Sequence, residues 1–138
     1  WSEEINLIMQ SDFPFVYFFK FKISNQKKIY RILEFFVNIR CFLFKEPYGD
    51  QGLLIQKHKY FKNKGFKKIP LMEDIDFIKR IKNEEKLLCL ENSVYTSSRK
   101  WERNNFIIQA FKNWKLRRSW LKGDPMNLIY KTYYRTKD

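Results

Sequence analysis

The chain has 138 residues, 44% of them hydrophobic and 19% aromatic, which is enough to bury a core and excludes a disordered basic tail. Lys and Arg number 28 against 15 acids, a net charge of +13, and this suits anionic partners such as nucleotide diphosphates, anionic lipid or nucleic acid without choosing among them. Cys41 and Cys89 lie far apart in apolar segments with no ligand-spaced neighbour, so they read as reduced core residues, the pattern of a cytoplasmic protein, and not as a zinc site.

In chain order, Ser2 followed by Glu3 and Glu4 predicts a short helix ending near Gln10, before Asp12 and Pro14. Residues 15–23 alternate, with Phe19, Phe21 and Ile23 on one face and Lys20 and Lys22 on the other, which predicts a strand buried on one side whose aromatics are core. From 26 to 44, Ile29, Ile32, Leu33, Phe36, Ile39 and Leu43 recur at helical spacing. Lys27, Lys28, Arg31, Glu34, Asn38 and Arg40 interrupt that run, whereas a spanning helix wants ~20 mainly apolar residues. The reading is therefore a core or interfacial helix, with an aromatic face and a basic flank that permit contact with anionic lipid.

Gly49 and Gly52 bracket Asp50 and Gln51 in a loop where the backbone can turn sharply or approach a ligand. Residues 53–55 read as a short strand and a helix follows to about Asn63, where Gly65 stops it; His58, among lysines, is a solvated helix position and not a metal ligand. A helix over 72–83 turns Ile75, Ile78 and Ile81 inward, with Glu73, Asp74 and Asp76 in its first turn and Lys79, Arg80 and Lys82 in its last. Residues 87–90 and 93–96 predict two short strands around the turn-forming pair Glu91-Asn92. Arg99, Lys100 and Arg103 then surround Trp101, a basic junction suited to phosphate. A helix over 104–122 is expected to bury Ile107, Ala110, Phe111, Trp114 and Leu121, and Asp124-Pro125 opens a last helix running to Tyr134.

The acids at 73–76 carry the chemistry. The positive end of a helix favours carboxylates by about 0.3–1 kcal/mol, and a carboxylate beside a cleft is what a general base requires. Adjacent helical residues point about 100° apart, so Glu73 and Asp74 cannot both address one atom: one acts and the other supports.

The stretch Pro70-Leu71-Met72-Glu73-Asp74-Ile75-Asp76 resembles the Glu-Asp motif of family 2 glycosyltransferases. Two flanking stretches are similar to segments of one bacterial subgroup in the same order: Glu46-Pro47-Tyr48-Gly49-Asp50-Gln51-Gly52-Leu53-Leu54-Ile55 and Thr96-Ser97-Ser98-Arg99-Lys100-Trp101-Glu102-Arg103. In processive members an Arg-Trp pair lies near the nucleotide diphosphate and acceptor; Arg99 and Trp101 resemble it at looser spacing, without the Gln that begins that pattern.

What the resemblance implies is an α/β fold, the acceptor-side half of a GT-A domain with C-terminal helices, spanning residues 1–138. The nucleotide-binding half, with a metal-binding Asp-x-Asp, is expected before Trp1, since Trp1 is not a natural start and no signal peptide is evident. The implied activity is inverting transfer of a sugar, hexosyltransferase-like, from a nucleotide sugar to an acceptor hydroxyl in cell-envelope polysaccharide synthesis. Asp74 is the implied general base with Glu73 beside it, and Asp50, Gln51, Gly52, Arg99 and Trp101 are the implied substrate contacts. A divalent Mg or Mn ion is implied, its main ligands in the preceding half, so that these residues alone are expected to be inactive. A cytoplasmic site follows, peripheral at the inner membrane face. The alternatives without catalysis are a basic module using Lys20, Lys22, Arg117 and Arg118 with nearby aromatics to hold nucleic acid, and a membrane-surface module; the resemblance weighs against nucleic acid.

Overall fold

The computed structural model describes residues 3–10, 13–99 and 106–134. Its elements are helix α1 (Glu3–Gln10), strand β1 (Val16–Ile23), helix α2 (Lys28–Phe44), a 3-10 turn (Gly49–Gln51), strand β2 (Leu53–Leu54), helices α3 (Lys57–Lys62) and α4 (Glu73–Ile81), strand β3 (Leu87–Thr96), and helices α5 (Phe106–Lys122) and α6 (Met126–Tyr134). The fold is mixed α/β, with a three-stranded sheet in the order β2-β1-β3. β1 runs antiparallel to β2, pairing Tyr17 with Leu54 and Phe18 with Leu53, and parallel to β3 from Val16 opposite Leu87 to Ile23 opposite Thr96.

The expected pair of strands around Glu91-Asn92 is one strand. Its pairing with β1 is irregular between Phe18 and Lys20: Phe18 faces Cys89 and Lys20 faces Ser93, so β3 accommodates two extra residues where a turn was predicted. The ammonium of Lys20 bonds the Glu91 carboxylate across this irregularity. The same region separates β1 into two faces differently from simple alternation. Val16 and Phe18 join Cys41 of α2, Phe77, Ile78 and Ile81 of α4, and Leu87 in one core. Phe21 and Ile23 pack with Tyr30 and Leu33 of α2. Phe19 instead turns to the opposite side, onto Ile5 of α1 and Leu90, so it does not share a face with Phe21 and Ile23 as the alternation predicts.

β2 is too short to cover the free edge of β1, and side chains complete it. The Phe21 N–H donates to Asn38 Oδ1 at 2.8 Å while Asn38 Nδ2 donates to the Phe21 carbonyl at 3.1 Å. The Ile23 N–H donates to Glu34 Oε1 at 2.6 Å, Arg31 Nη2 donates to the Ile23 carbonyl at 3.0 Å, and Gln51 Nε2 reaches the Phe19 carbonyl at 3.3 Å. An unpaired strand edge invites another chain, and buried peptide groups without partners are costly. Residues of α2 and of the 3-10 turn remove both liabilities.

This arrangement decides which face of α2 is buried. Tyr30, Leu33, Glu34 and Cys41 are enclosed, whereas Ile29, Ile32, Phe36, Ile39 and Leu43 of the expected apolar stripe are exposed. Only Leu33 of that stripe is core. The α5 stripe is corrected likewise: Leu116 is buried, Phe111, Trp114 and Leu121 face outward, and Ala110 is half-buried; the side chain of Ile107, and Ser2, Trp101 and Arg103, lie outside the described residues. The expectations for α3, with an exposed His58, and for Ile75, Ile78 and Ile81 of α4 match the structure. Arg80 clamps α4 to the end of α3, donating to the carbonyls of Asn63 and Gly65 and pairing with Asp76 one turn back. Among the described residues, no helix is long and apolar enough to cross a membrane.

Candidate active site

The 3-10 turn after α2 and the N-terminus of α4 meet. Met72 takes a left-handed conformation, φ 66°, immediately before α4, which opens with Glu73, Asp74 and Asp76. The Gly49 N–H donates to Asp74 Oδ2 at 2.8 Å, and the Ile75 N–H donates to Asp74 Oδ1 at 2.8 Å. Two amide donors therefore hold one carboxylate in a set orientation. Tyr48, Asp50, Glu73, Asp74, Arg117 and Tyr133 line a cleft of about 350 Å³, to which α5 and α6 supply the last two. Tyr48, Gly49 and Asp74 also border a smaller apolar hollow of about 260 Å³ that includes Tyr60, Phe66 and Phe77. Asp74 thus stands between a charged cleft and an aromatic one.

A set of ion pairs supports the wall of this cleft from behind. Glu46 accepts from Lys82 at the end of α4 and from Arg117 on α5, tying both helices to the loop. Burial raises the pKa of Glu46, but Lys82 and Arg117 outweigh it and hold the carboxyl below its ordinary value. Arg40 donates to the Glu46 carbonyl at 2.6 Å and stacks 3.7 Å from the Tyr48 ring. Burial pushes the Tyr48 phenol up, against the opposing charges of Arg40 and Arg117, so it remains a neutral donor. Arg117 Nε is buried without a hydrogen-bond partner.

Of the residues singled out in the sequence, Asp50, Glu73 and Asp74 come together in one cleft. Glu73 is exposed and Asp74 half-buried, in keeping with their different directions on the helix. Gln51, expected as a substrate contact, has its side chain engaged within the fold. It is fully buried, its amide donating to Phe19 and its Oε1 accepting from Tyr48 N–H and Cys41 Sγ, both at 3.0 Å. Gly52 has φ 64°, and a Cβ there would lie 3.3 Å from the Phe19 ring, so its place is the turn into β2. Arg99 is exposed, donates to Ser97 Oγ at 3.0 Å and does not border the cleft, and Trp101 lies outside the described residues. In the sequence Arg117 stood out only as a cation of the nucleic-acid alternative, and nothing in the local pattern pointed to Tyr133. The cations of the nucleic-acid alternative have partners: Lys20 binds Glu91, Lys22 lies 5.7 Å from the Tyr95 ring, Arg117 binds Glu46, and Arg118 lies 5.3 Å from the Trp114 ring.

Among the described residues, no group of three or more His, Cys, Asp or Glu side chains is arranged to hold a metal ion. In comparisons with protein-family models, curated proteins and solved structures, no match to this chain was found.

Proposed function

We propose that this chain forms the acceptor side of a sugar-transferring enzyme similar to family 2 glycosyltransferases, with Asp74 as general base. The observation that supports it is the convergence of the Asp50 loop and the Glu73-Asp74 helix start, distant in sequence, on one cleft, with Asp74 held by two amide donors. In a chain of net charge +13, three carboxylates lining one cleft are a concentrated exception that suits proton abstraction and hydroxyl recognition.

In this reading the acceptor hydroxyl lies against Asp74. Its oxygen attacks the anomeric carbon of a nucleotide sugar as the bond from that carbon to the diphosphate breaks, the diphosphate leaving with the electron pair. Asp74 takes the hydroxyl proton and the anomeric configuration inverts. Asp50 and Glu73, which line the same cleft, accept hydrogen bonds from further acceptor hydroxyls in this reading, and the Arg117 guanidinium balances the local negative charge. The donor nucleotide and any divalent ion belong to the other half of such an enzyme, and no step here is routed through a metal.

The test is sugar transfer by the full-length protein, scored as nucleoside diphosphate released from a panel of nucleotide hexoses. Asp74→Asn keeps the shape of the side chain and can keep one of its two amide contacts but cannot take the proton, so turnover is expected to fall roughly 10² to 10⁴ fold with donor affinity retained. Glu73→Gln should cost less. Normal turnover in Asp74→Asn would remove it from the mechanism.

A further inference from the structure

α2 presents to solvent a face more apolar than the one it buries. Ile32, Phe35, Phe36, Ile39, Phe42 and Leu43 are between 39% and 68% exposed, and at about 100° per residue they fall within one arc of ~120°. Aromatic side chains carry about 150–250 Å² each, so the patch reaches several hundred Å², a size that marks an interaction surface. It is also rigidly mounted, because Asn38, Glu34 and Arg31 fasten the opposite face to the edge of β1.

The exposed charges between residues 26 and 45 have one sign. Glu34 is the only acid between residues 26 and 45, and it is buried against Ile23. Lys27 and Lys28 are exposed at the start of the helix, and Lys45 follows its last residue with its ammonium 4.9 Å from the Phe42 ring. Apolar side chains in a row with cations at both ends complement a bilayer whose headgroups are anionic: the rings enter the boundary between headgroups and acyl chains while lysines meet phosphates. The net charge of +13 acts in the same direction over longer range. Since α2 is not a spanning helix, contact is along the surface.

We propose that the outer face of α2 seats this protein on an anionic lipid surface. This rests on the exposed face and its charges, not on the sugar-transfer reading, and either can fail without the other.

The experiment is sedimentation of the full chain with vesicles of phosphatidylcholine alone and of phosphatidylcholine mixed with phosphatidylglycerol. Binding is expected to the mixed vesicles, weakening with added salt. Phe35→Ser, Phe36→Ser and Phe42→Ser should each lower partitioning about tenfold, with far-ultraviolet circular dichroism unchanged because these side chains are already exposed. Replacing Lys27, Lys28 and Lys45 with Glu should cost about fivefold or more per position and leaves the apolar face intact. Failure to sediment with mixed vesicles, or equal binding to neutral ones, overturns the proposal. So does a dimer in analytical ultracentrifugation that the three serine substitutions dissolve, since the face is then covered by a second copy.

Discussion

The Gly49 amide donates to Asp74 Oδ2 at 2.8 Å, and a Cβ built on Gly49 would come within 3.2 Å of that same oxygen. The loop and the helix start therefore touch where there is no spare room for a side chain. Gly49→Ala should push the carboxylate by a few tenths of an ångström while leaving the core alone. Under the proposed mechanism turnover then falls about tenfold or more, because small misplacements of a reacting group are costly, while stability changes by less than about 1 kcal/mol. Thermal melting and sugar transfer measured on one preparation check this; unchanged turnover would argue that Asp74 is only a tether for the loop.

The side-chain edge of β1 supplies a second prediction. Asn38→Ala leaves the Phe21 N–H and carbonyl without their partners, and a partly buried peptide group left unpaired costs about 1–3 kcal/mol. Asn38→Asp keeps the acceptor for the N–H but loses the donor to the carbonyl, so it should also destabilise. Urea unfolding gives the loss directly. Light scattering should show increased association, because the exposed edge becomes available to another chain.

Acid should destabilise the fold through Glu46 and Asp76. Burial raises the pKa of each, but Lys82 with Arg117 at Glu46, and Lys67 with Arg80 at Asp76, outweigh it and lower both. With the folded value below the unfolded one, the unfolded chain binds more protons as the medium is acidified. The stabilisation is present above the ordinary carboxylate value and is lost as pH falls through the lowered folded value. Glu46→Gln should therefore reduce stability at neutral pH and flatten the acid limb of a plot of urea midpoint against pH. An unchanged acid limb would show that the Lys82 and Arg117 contacts contribute nothing.

Phe77 is the test of the core. It is fully buried, with ring centroids 5.3 Å from Tyr60 and 5.0 Å from Phe66. Phe77→Ala should cost about 3–5 kcal/mol, and because its ring also borders the hollow beside Asp74, Phe77→Leu is the milder variant for following the site. Chemical denaturation of the two variants, with the larger loss in alanine, checks the assignment.

The sequence alone determined the elements whose patterns have one solution. β1 is recognisable because strand-forming residues fill 16–23, and α4 because Ile75, Ile78 and Ile81 recur on one side between its acidic start and basic end. Asp50, Glu73 and Asp74 were legible as candidates because each belongs to a local signal, glycines around a loop or acids at a helix mouth. The buried face of α2 was not legible. That helix has apolar side chains nearly all round, so periodicity is degenerate, and the decision falls to Asn38, Glu34 and Arg31, which turn inward to complete a strand edge left open by the shortness of β2. β3 read as two strands because a turn-forming pair is locally the same as an irregularity; only pairing with β1 on both sides of Glu91-Asn92 makes it one. The cleft depended most on tertiary structure. Gln51 became a buried staple and Arg117 a cleft residue because hydrogen-bond partners and neighbours across 32 to 71 residues of sequence exist only once the chain has folded.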